Sequence, residues 1–274
     1  VGKMERHIRF SIRIALSGSL MSVTRESDRA FRFASLAGMN PGDQHTGGTD
    51  SGAQPLRSDA ERNRARIIAA ARAVFGRDGL NASMASVARE AGVGIATMFR
   101  RFPGKEELLA AVFADRMDAY VRATAEALAD PDPWSGFTGY IETVCAMQAA
   151  DRGFADILTM SFPGAEALEA CRAEAYEGFL ELIARAKDSG QLREDFTSRD
   201  LVLLLMANAG VLTATGDAAP DAWRRLVAWM IQSFRAPARG PLPDPPEDAA
   251  LYQAMLRASR DITAPEVGKS GKGK

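Results

Sequence analysis

Apolar residues recur every three or four positions along most of this chain, and no strand-like alternation rises above that rhythm. Such spacing lays one apolar stripe along each of a series of helices and predicts an all-α fold. The regular pattern begins at residue 57. Ile67, Ile68, Ala71, Val74 and Phe75 give a first helix over 57–78, with Ser58 and Glu61 at capping-box spacing near its start and Gly79 at its end. Ser83 reads as the N-cap of a short helix whose inner face carries Met84, Val87, Ala88 and Ala91. Gly92 stops that helix and Val93 plugs the turn. Gly94 opens a second short helix with Met98 and Phe102 inward and Thr97, Arg100 and Arg101 outward, ended by Pro103-Gly104. The small Ala88 and Gly92 allow the pair to cross closely, as a helix-turn-helix requires.

From Lys105 a longer stripe runs through Leu108, Leu109, Val112, Phe113, Met117, Tyr120, Val121, Thr124 and Leu128. It predicts a helix that leaves the first three and enters a second body. Pro131 and Pro133 predict a break, followed by a helix over Phe137–Ala150. A short helix capped at or beside Asp151 turns Phe154, Ile157, Leu158 and Met160 inward. Pro163-Gly164 breaks the chain again before a long helix over Ala165–Asp188, closed by Gly190. Thr197 and Asp200 form a capping box for Leu201–Thr213, and Asp221–Phe234 is the last strong helix. Beyond Arg235 the chain is Pro-rich, with a weak helix over 248–259 and a KSGKGK end. Residues 1–56 lack the pattern, and Met39–Pro55 is rich in Gly, Ser, Thr and Pro, a composition expected to be disordered. Translation is expected to start at Met39 or Met21, which the intact mass of the native protein tests.

The near-neutral net charge of −1 conceals an asymmetry. Residues 57–105 hold ten Lys and Arg against four Asp and Glu, whereas residues from 106 onward hold seventeen against twenty-six. The basic excess therefore coincides with the three N-terminal helices, the electrostatic footprint of phosphate contact. Chemistry of other kinds finds little support. The two cysteines, Cys145 and Cys171, lie in helical patterns without a C-x-x-C, and His7 and His45 precede the helical part, so neither a metal set nor a histidine base is assembled. Reduced, buried thiols are expected, a redox switch between them being the other reading. No GxSxG or HExxH occurs, and Gly92-Val93-Gly94 lacks the third glycine and the preceding strand of a dinucleotide fingerprint. The uncharged run Leu201–Gly216 is short for a membrane span and contains Asn208. No enzyme, cofactor, metal or membrane partner is expected.

The stretch Ser83–Phe102, SMASVAREAGVGIATMFRRF, resembles the DNA-binding motif of the TetR family of bacterial transcriptional regulators. The family's Ser or Thr cap, Ala, Gly-Val turn, Thr-Leu-Tyr, following aromatic and Lys correspond here to Ser83, Ala88, Gly92-Val93, Thr97-Met98-Phe99, Phe102 and Lys105. The departure is Phe99 in place of a tyrosine whose hydroxyl meets a phosphate; that contact is either lost or taken over by Arg100. The resemblance implies a disordered or over-called extension over 1–56, a helix-turn-helix domain over 57–118, a helical ligand-binding and dimerisation domain over 119–236, and a tail over 237–274. It implies that Ile95, Ala96, Thr97, Phe99, Arg100 and Arg101 meet bases or phosphates, while Ser83 and Lys105 hold phosphates; a solvent-facing Lys105 is the plainer reading. It implies a homodimer through Leu201–Thr213 and Asp221–Phe234, and an effector pocket lined by Trp134, Tyr140, Met147, Phe154, Met160, Phe162 and Phe179. The implied function is a cytoplasmic repressor released from a palindromic double-stranded DNA operator by a small molecule. The alternative is an all-helical protein-interaction module without DNA binding.

Overall fold

The computed structural model describes residues 53–263. The expectations for the N-terminal extension before residue 53 and for the KSGKGK end lie outside the described residues. The chain divides into two compact units, Val1–Asn63 and Arg64–Lys274. The described part of the first is the opening of helix α1 (Ala53–Asp78), where Arg62 pairs with Asp59. Because α1 begins at Ala53, Ser58 lies inside it, and the Ser58–Glu61 spacing does not mark its start.

The second unit continues α1 and adds α2 (Met84–Glu90), α3 (Ile95–Arg101), α4 (Lys105–Leu128), α5 (Pro133–Ala150), α6 (Arg152–Thr159), α7 (Glu166–Asp188), α8 (Ser198–Thr215), α9 (Ala222–Phe234) and α10 (Asp248–Thr263). Among the described residues the architecture is all helical, apart from one isolated bridge between Leu192 and Arg235. No described helix is long and apolar enough to cross a membrane.

Three further elements start or end away from their expected positions, the first two for a local reason. Helix α5 starts four residues before Phe137 because Asp132 caps it: its carboxylate accepts from Trp134 N at 2.9 Å and Ser135 N at 3.3 Å. Pro133 occupies the first helical position, where its missing N–H costs nothing and its fixed φ suits the helix. The proline that reads as a breaker therefore opens the helix. Helix α8 starts at Ser198, directly after its Thr197 cap, whose amide donates to Asp200 Oδ2 at 2.6 Å. Helix α10 extends to Thr263, and the stretch read as a tail packs against the body, with Met255 and Ile262 buried.

Helix α4 packs against α7 and α5, α6 against α8, and α8 against α9. Phe137 of α5 sits at the centre, 6.0 Å from Phe179 and edge-on to Phe196 at 5.3 Å between ring centroids. Asn208, the polar interruption in the apolar run of α8, is fully buried. It donates to Gln148 Oε1 at 2.9 Å and Cys145 O at 3.3 Å, while Gln148 donates to Leu205 O at 3.3 Å. Buried amides that find these partners fix one register between α5 and α8.

Candidate nucleic-acid interface

Helices α2 and α3 are held by the turn between them. Ser83 Oγ accepts from Ser86 N at 2.9 Å and caps α2. At the far end Gly92 takes φ of +63°, Gly92 N donates to Arg89 O at 3.1 Å, and Val93 N donates to Ala88 O at 3.0 Å. These two bonds and the left-handed residue form a Schellman closure, which satisfies carbonyls that a helix end leaves unpaired. Arg66 of α1 secures the same turn, its Nη2 donating to Ala91 O at 2.9 Å. Helix α3 then starts directly after its Gly94 cap position. Met98 (0% exposed) and Phe102 (2%) anchor its inner side, and the Arg64 guanidinium lies 5.5 Å over the Phe102 ring.

The opposite side of α3 faces solvent. Ile95 and Phe99 are 46% and 47% exposed, an unusual position for large apolar side chains on a single body. Ala96, Arg100 and Arg101 are exposed and Thr97 is half-buried. Among the described residues neither Arg100 nor Arg101 has an ion-pair or hydrogen-bond partner. Of the predicted outward residues, Arg100 and Arg101 are exposed and Thr97 is only partly so. Ser83 is half-buried at the start of α2, and its hydroxyl proton is left to donate because its oxygen serves the cap. Lys105 is half-buried in the first turn of α4.

The next residue joins this region to the larger body. The Glu106 carboxylate lies against Gly164, where an added Cβ would fall 1.5 Å from Glu106 Oε2, so only glycine permits the contact as it stands. Burial raises the Glu106 pKa, with Glu107 and then Glu169 adding repulsion and the Gly164 amide opposing them. Glu169 is in turn held by the loop after α6, accepting from Phe162 N at 2.9 Å and Ser161 Oγ at 3.3 Å.

Of the seven side chains read as pocket lining, Tyr140, Phe154, Phe162 and Phe179 are fully buried, and Trp134, Met147 and Met160 are half-buried. Tyr140 stacks on Phe179 at 5.3 Å, so these rings fill space against one another. Two concave sites are described on this body, one bounded by Arg193, Asp195 and Pro237 and the other by Glu142, Trp223 and Val227. None of the seven lines either of them. Burial raises the Tyr140 hydroxyl pKa well above its ordinary value and raises that of Tyr120 as well. Among the described residues no His, Cys, Asp and Glu cluster is able to hold a metal ion. The sequence places Arg66 with Arg57, Arg62 and Arg64 where a phosphate could be gripped, whereas its Nη2 donates to Ala91 O. Sequence reading missed Glu106 and Arg172. The second carried a signal: it sits between Leu168 and Ala175 on the inner stripe of α7, where a cation is out of place.

A short capped helix, a Schellman turn and a second helix with a basic, apolar-tipped outer face define a helix-turn-helix protein of the DNA-binding class. The comparisons make the assignment particular. Residues 67–112 match the family model described as bacterial regulatory proteins, tetR family, and residues 132–236 match that of the transcriptional regulator SbtR-like C-terminal domain. The two together span more than half of the chain, and the chain belongs to the TetR family of bacterial transcriptional regulators. Among curated proteins it is similar to an HTH-type transcriptional regulator of Staphylococcus aureus, 36% identical over 67 residues, which cover 24% of this chain and 36% of that relative. The chain therefore spans about a third of the length of the curated relatives it matches.

Among solved structures it is similar to a TetR regulatory protein from Mycobacterium vanbaalenii, at 30% identity over 66% of this chain and 100% of that one, TM-score 0.40. It is also similar to the fatty acid degradation regulator FadR from Bacillus halodurans, at 21% identity over 65% and 97% of the two chains, TM-score 0.47. The family assignment rests on the two family models.

Proposed function

We propose that this chain is a ligand-responsive repressor that binds a palindromic operator as a homodimer. The domains are those read from the sequence: a DNA-binding unit over 57–118 and a ligand-binding and dimerisation body over 119–236. The observation that carries the reading is the outer face of α3, where Arg100 and Arg101 stand exposed and without partners among the described residues while Met98 and Phe102 lock the helix from behind. In this reading α3 enters the major groove. Arg100 or Arg101 takes O6 and N7 of a guanine together, and Ala96, Phe99 and the Thr97 methyl touch thymine methyls. Ile95 packs at the groove edge, and Ser83 and Lys105 hold phosphates that set the register.

Symmetric operators are met by symmetric proteins. The proposed dimer face is supported by Leu203, Ala207, Gly210 and Ala214, which lie exposed at helical spacing along α8, and by Trp229 of α9, 57% exposed. The small residues admit close approach and the tryptophan supplies the apolar area an interface core needs. Effector binding among the middle helices, at the seven residues named above, then favours a dimer whose two α3 helices no longer match the groove spacing. Contact between Glu106 and Gly164 supports α4 as the element that transmits the change.

Footprinting of purified protein on the DNA immediately upstream of its own gene and its neighbours tests the proposal. A protected two-fold repeat is expected. Uniform, sequence-indifferent protection or none favours the alternative, a helical interaction module.

A further inference from the structure

Arg172 occupies a position that a packed helical body rarely gives to a cation. It lies on α7 between buried Leu168 and Ala175, and its side chain is 19% exposed. Its Nη2 donates to Ile157 O at 2.8 Å, but Nε and Nη1 are buried and have no hydrogen-bond acceptor. The nearest carboxylate, Glu169, stands 3.6 Å from Nε, beyond hydrogen-bond length. Its other oxygen is already committed to Phe162 N and Ser161 Oγ. The Tyr140 hydroxyl, on a side chain 1% exposed, makes no hydrogen bond of ordinary geometry, and the hydroxyls of Tyr120 and Thr124 are its polar neighbours. Tyr120 lies beside it, with ring centroids 6.2 Å apart, and the Arg172 charge reaches the Tyr120 hydroxyl.

Buried donors that forgo their bonds to water without gaining others are held at a cost, and where a fold keeps several together a missing acceptor is the physical explanation. The unmet groups of Arg172 and Tyr140 are donors, or a hydroxyl able to donate, and one carries a positive charge; the other unmet buried atom among the described residues, Asn208 Oδ1 on α8, is an acceptor. What completes them brings oxygen acceptors and a negative charge. The charge called for is single, because Glu169 stands beside the guanidinium and would repel a dianion. Phe179 stacks on Tyr140, with Phe137 stacked on Phe179 in turn, and these rings favour an apolar remainder.

Resting on the reading of this body as effector-binding, we propose that Arg172, with Tyr140 and Tyr120, is the receptor for the carboxylate of an apolar organic acid. A planar carboxylate matches the guanidinium fork. It also competes for Arg172 with Glu169, the residue that adjoins both the Ser161–Phe162 loop and Glu106, so occupancy is felt at the start of α4.

The test uses the full chain, wild type and Arg172→Met, which keeps an apolar stem and removes every N–H. Thermal melting is followed with straight-chain carboxylates of increasing length and with alcohols of the same lengths, alongside affinity for the upstream DNA. A carboxylate is expected to raise the wild-type melting temperature where its alcohol does not, and Arg172→Met to lose affinity for it by about tenfold or more, as when one member of a charged hydrogen-bonded pair is removed. Without ligand, Arg172→Met is expected to melt at or above wild type and to bind the DNA normally. Tyr140→Phe is expected to weaken the carboxylate response without lowering the melting temperature.

Equal response of wild type and Arg172→Met, equal response to acids and alcohols, or no response of wild type to any carboxylate in the series overturns the assignment. So does a ligand-free Arg172→Met that melts well below wild type, which makes Arg172 a structural cation. Acids and alcohols acting alike while releasing DNA leave the effector reading standing and remove only the carboxylate. Failure of both proteins to bind DNA tells against the regulator reading instead.

Discussion

The same substitution at two glycines is expected to change stability in opposite directions. Gly92 closes α2 at φ +63°, and the nearest atom to an added Cβ is Arg66 Nη2 at 3.8 Å, ordinary contact distance. Gly92→Ala therefore meets no clash, and its cost is backbone strain alone, about 1–2 kcal/mol for a side-chain-bearing residue in the left-handed region. Gly76 lies within α1 with nothing inside 4 Å of an added Cβ and no positive φ. There alanine lowers the entropy lost on folding and stabilises by about 0.5–1 kcal/mol. The two variants should differ by roughly 2 kcal/mol, read as urea midpoints at constant slope or as several degrees of melting temperature. Gly92→Asn, which tolerates positive φ better, should fall between Gly92→Ala and wild type. Gly92→Ala should also weaken operator binding, since this turn sets the angle of α3. Equal shifts of the same sign at positions 76 and 92 would refute the reasoning that φ, and not contact, decides the outcome.

Three further outcomes follow from titrating groups. The hydrogen bond from Arg193, then that from the Leu242 amide, depresses the Asp195 pKa, so its contribution to stability is present above about pH 4 and is lost as pH falls through the lower folded value. Asp195→Asn should destabilise at neutral pH, speed amide exchange at Leu242, and converge on wild type in strong acid. Burial raises the Glu106 pKa, so its contribution is present in acid and lost as pH rises through the folded value. Glu106→Gln should therefore raise the melting temperature at neutral pH, with the gain shrinking as pH falls toward about 4. Burial also pushes the Cys145 thiol up to about 12, whereas Cys171 is half-buried. Iodoacetamide should label native Cys171 ahead of Cys145, whose labelling should await unfolding; rapid labelling of both would revive a redox switch between them.

Much of the fold was legible because its signals are local. Ser83, Gly92 and Gly94 specify the ends of α2 and α3 through cap and turn chemistry that acts within a few residues, and the structure places those ends where the pattern does. Pro133 misled because a proline stops a helix arriving from before it and starts one after it; only Asp132, one residue earlier, distinguishes the two. The packing of 237–263 was invisible because its bonds are distant in sequence: Arg193 Nη2 to Gly240 O at 2.8 Å, Leu242 N to Asp195 Oδ2 at 2.9 Å, Arg199 Nε to Asp248 Oδ1 at 3.3 Å. The outward set on α3 could be read because 3.6-residue spacing sorts faces without tertiary information. The aromatic residues of the middle helices could not be sorted into core and lining, since both sit on inner stripes and only the approach of other helices separates them. Arg172 stood out in principle, as a cation among Leu168, Ala175 and Phe179, but its orphaned donors depend on where Glu169 is drawn by a loop outside the helix.

The central claim is that the exposed face of α3 reads DNA. Fluorescence anisotropy on the duplex from upstream of the gene, at several salt concentrations, with wild type, Arg100→Ala and Arg101→Ala, tests it most directly. An arginine on a base should cost about 1–3 kcal/mol and relax sequence preference, and one on a phosphate should reduce the salt slope by about one. Both variants binding with wild-type affinity, sequence preference and salt slope would contradict the account.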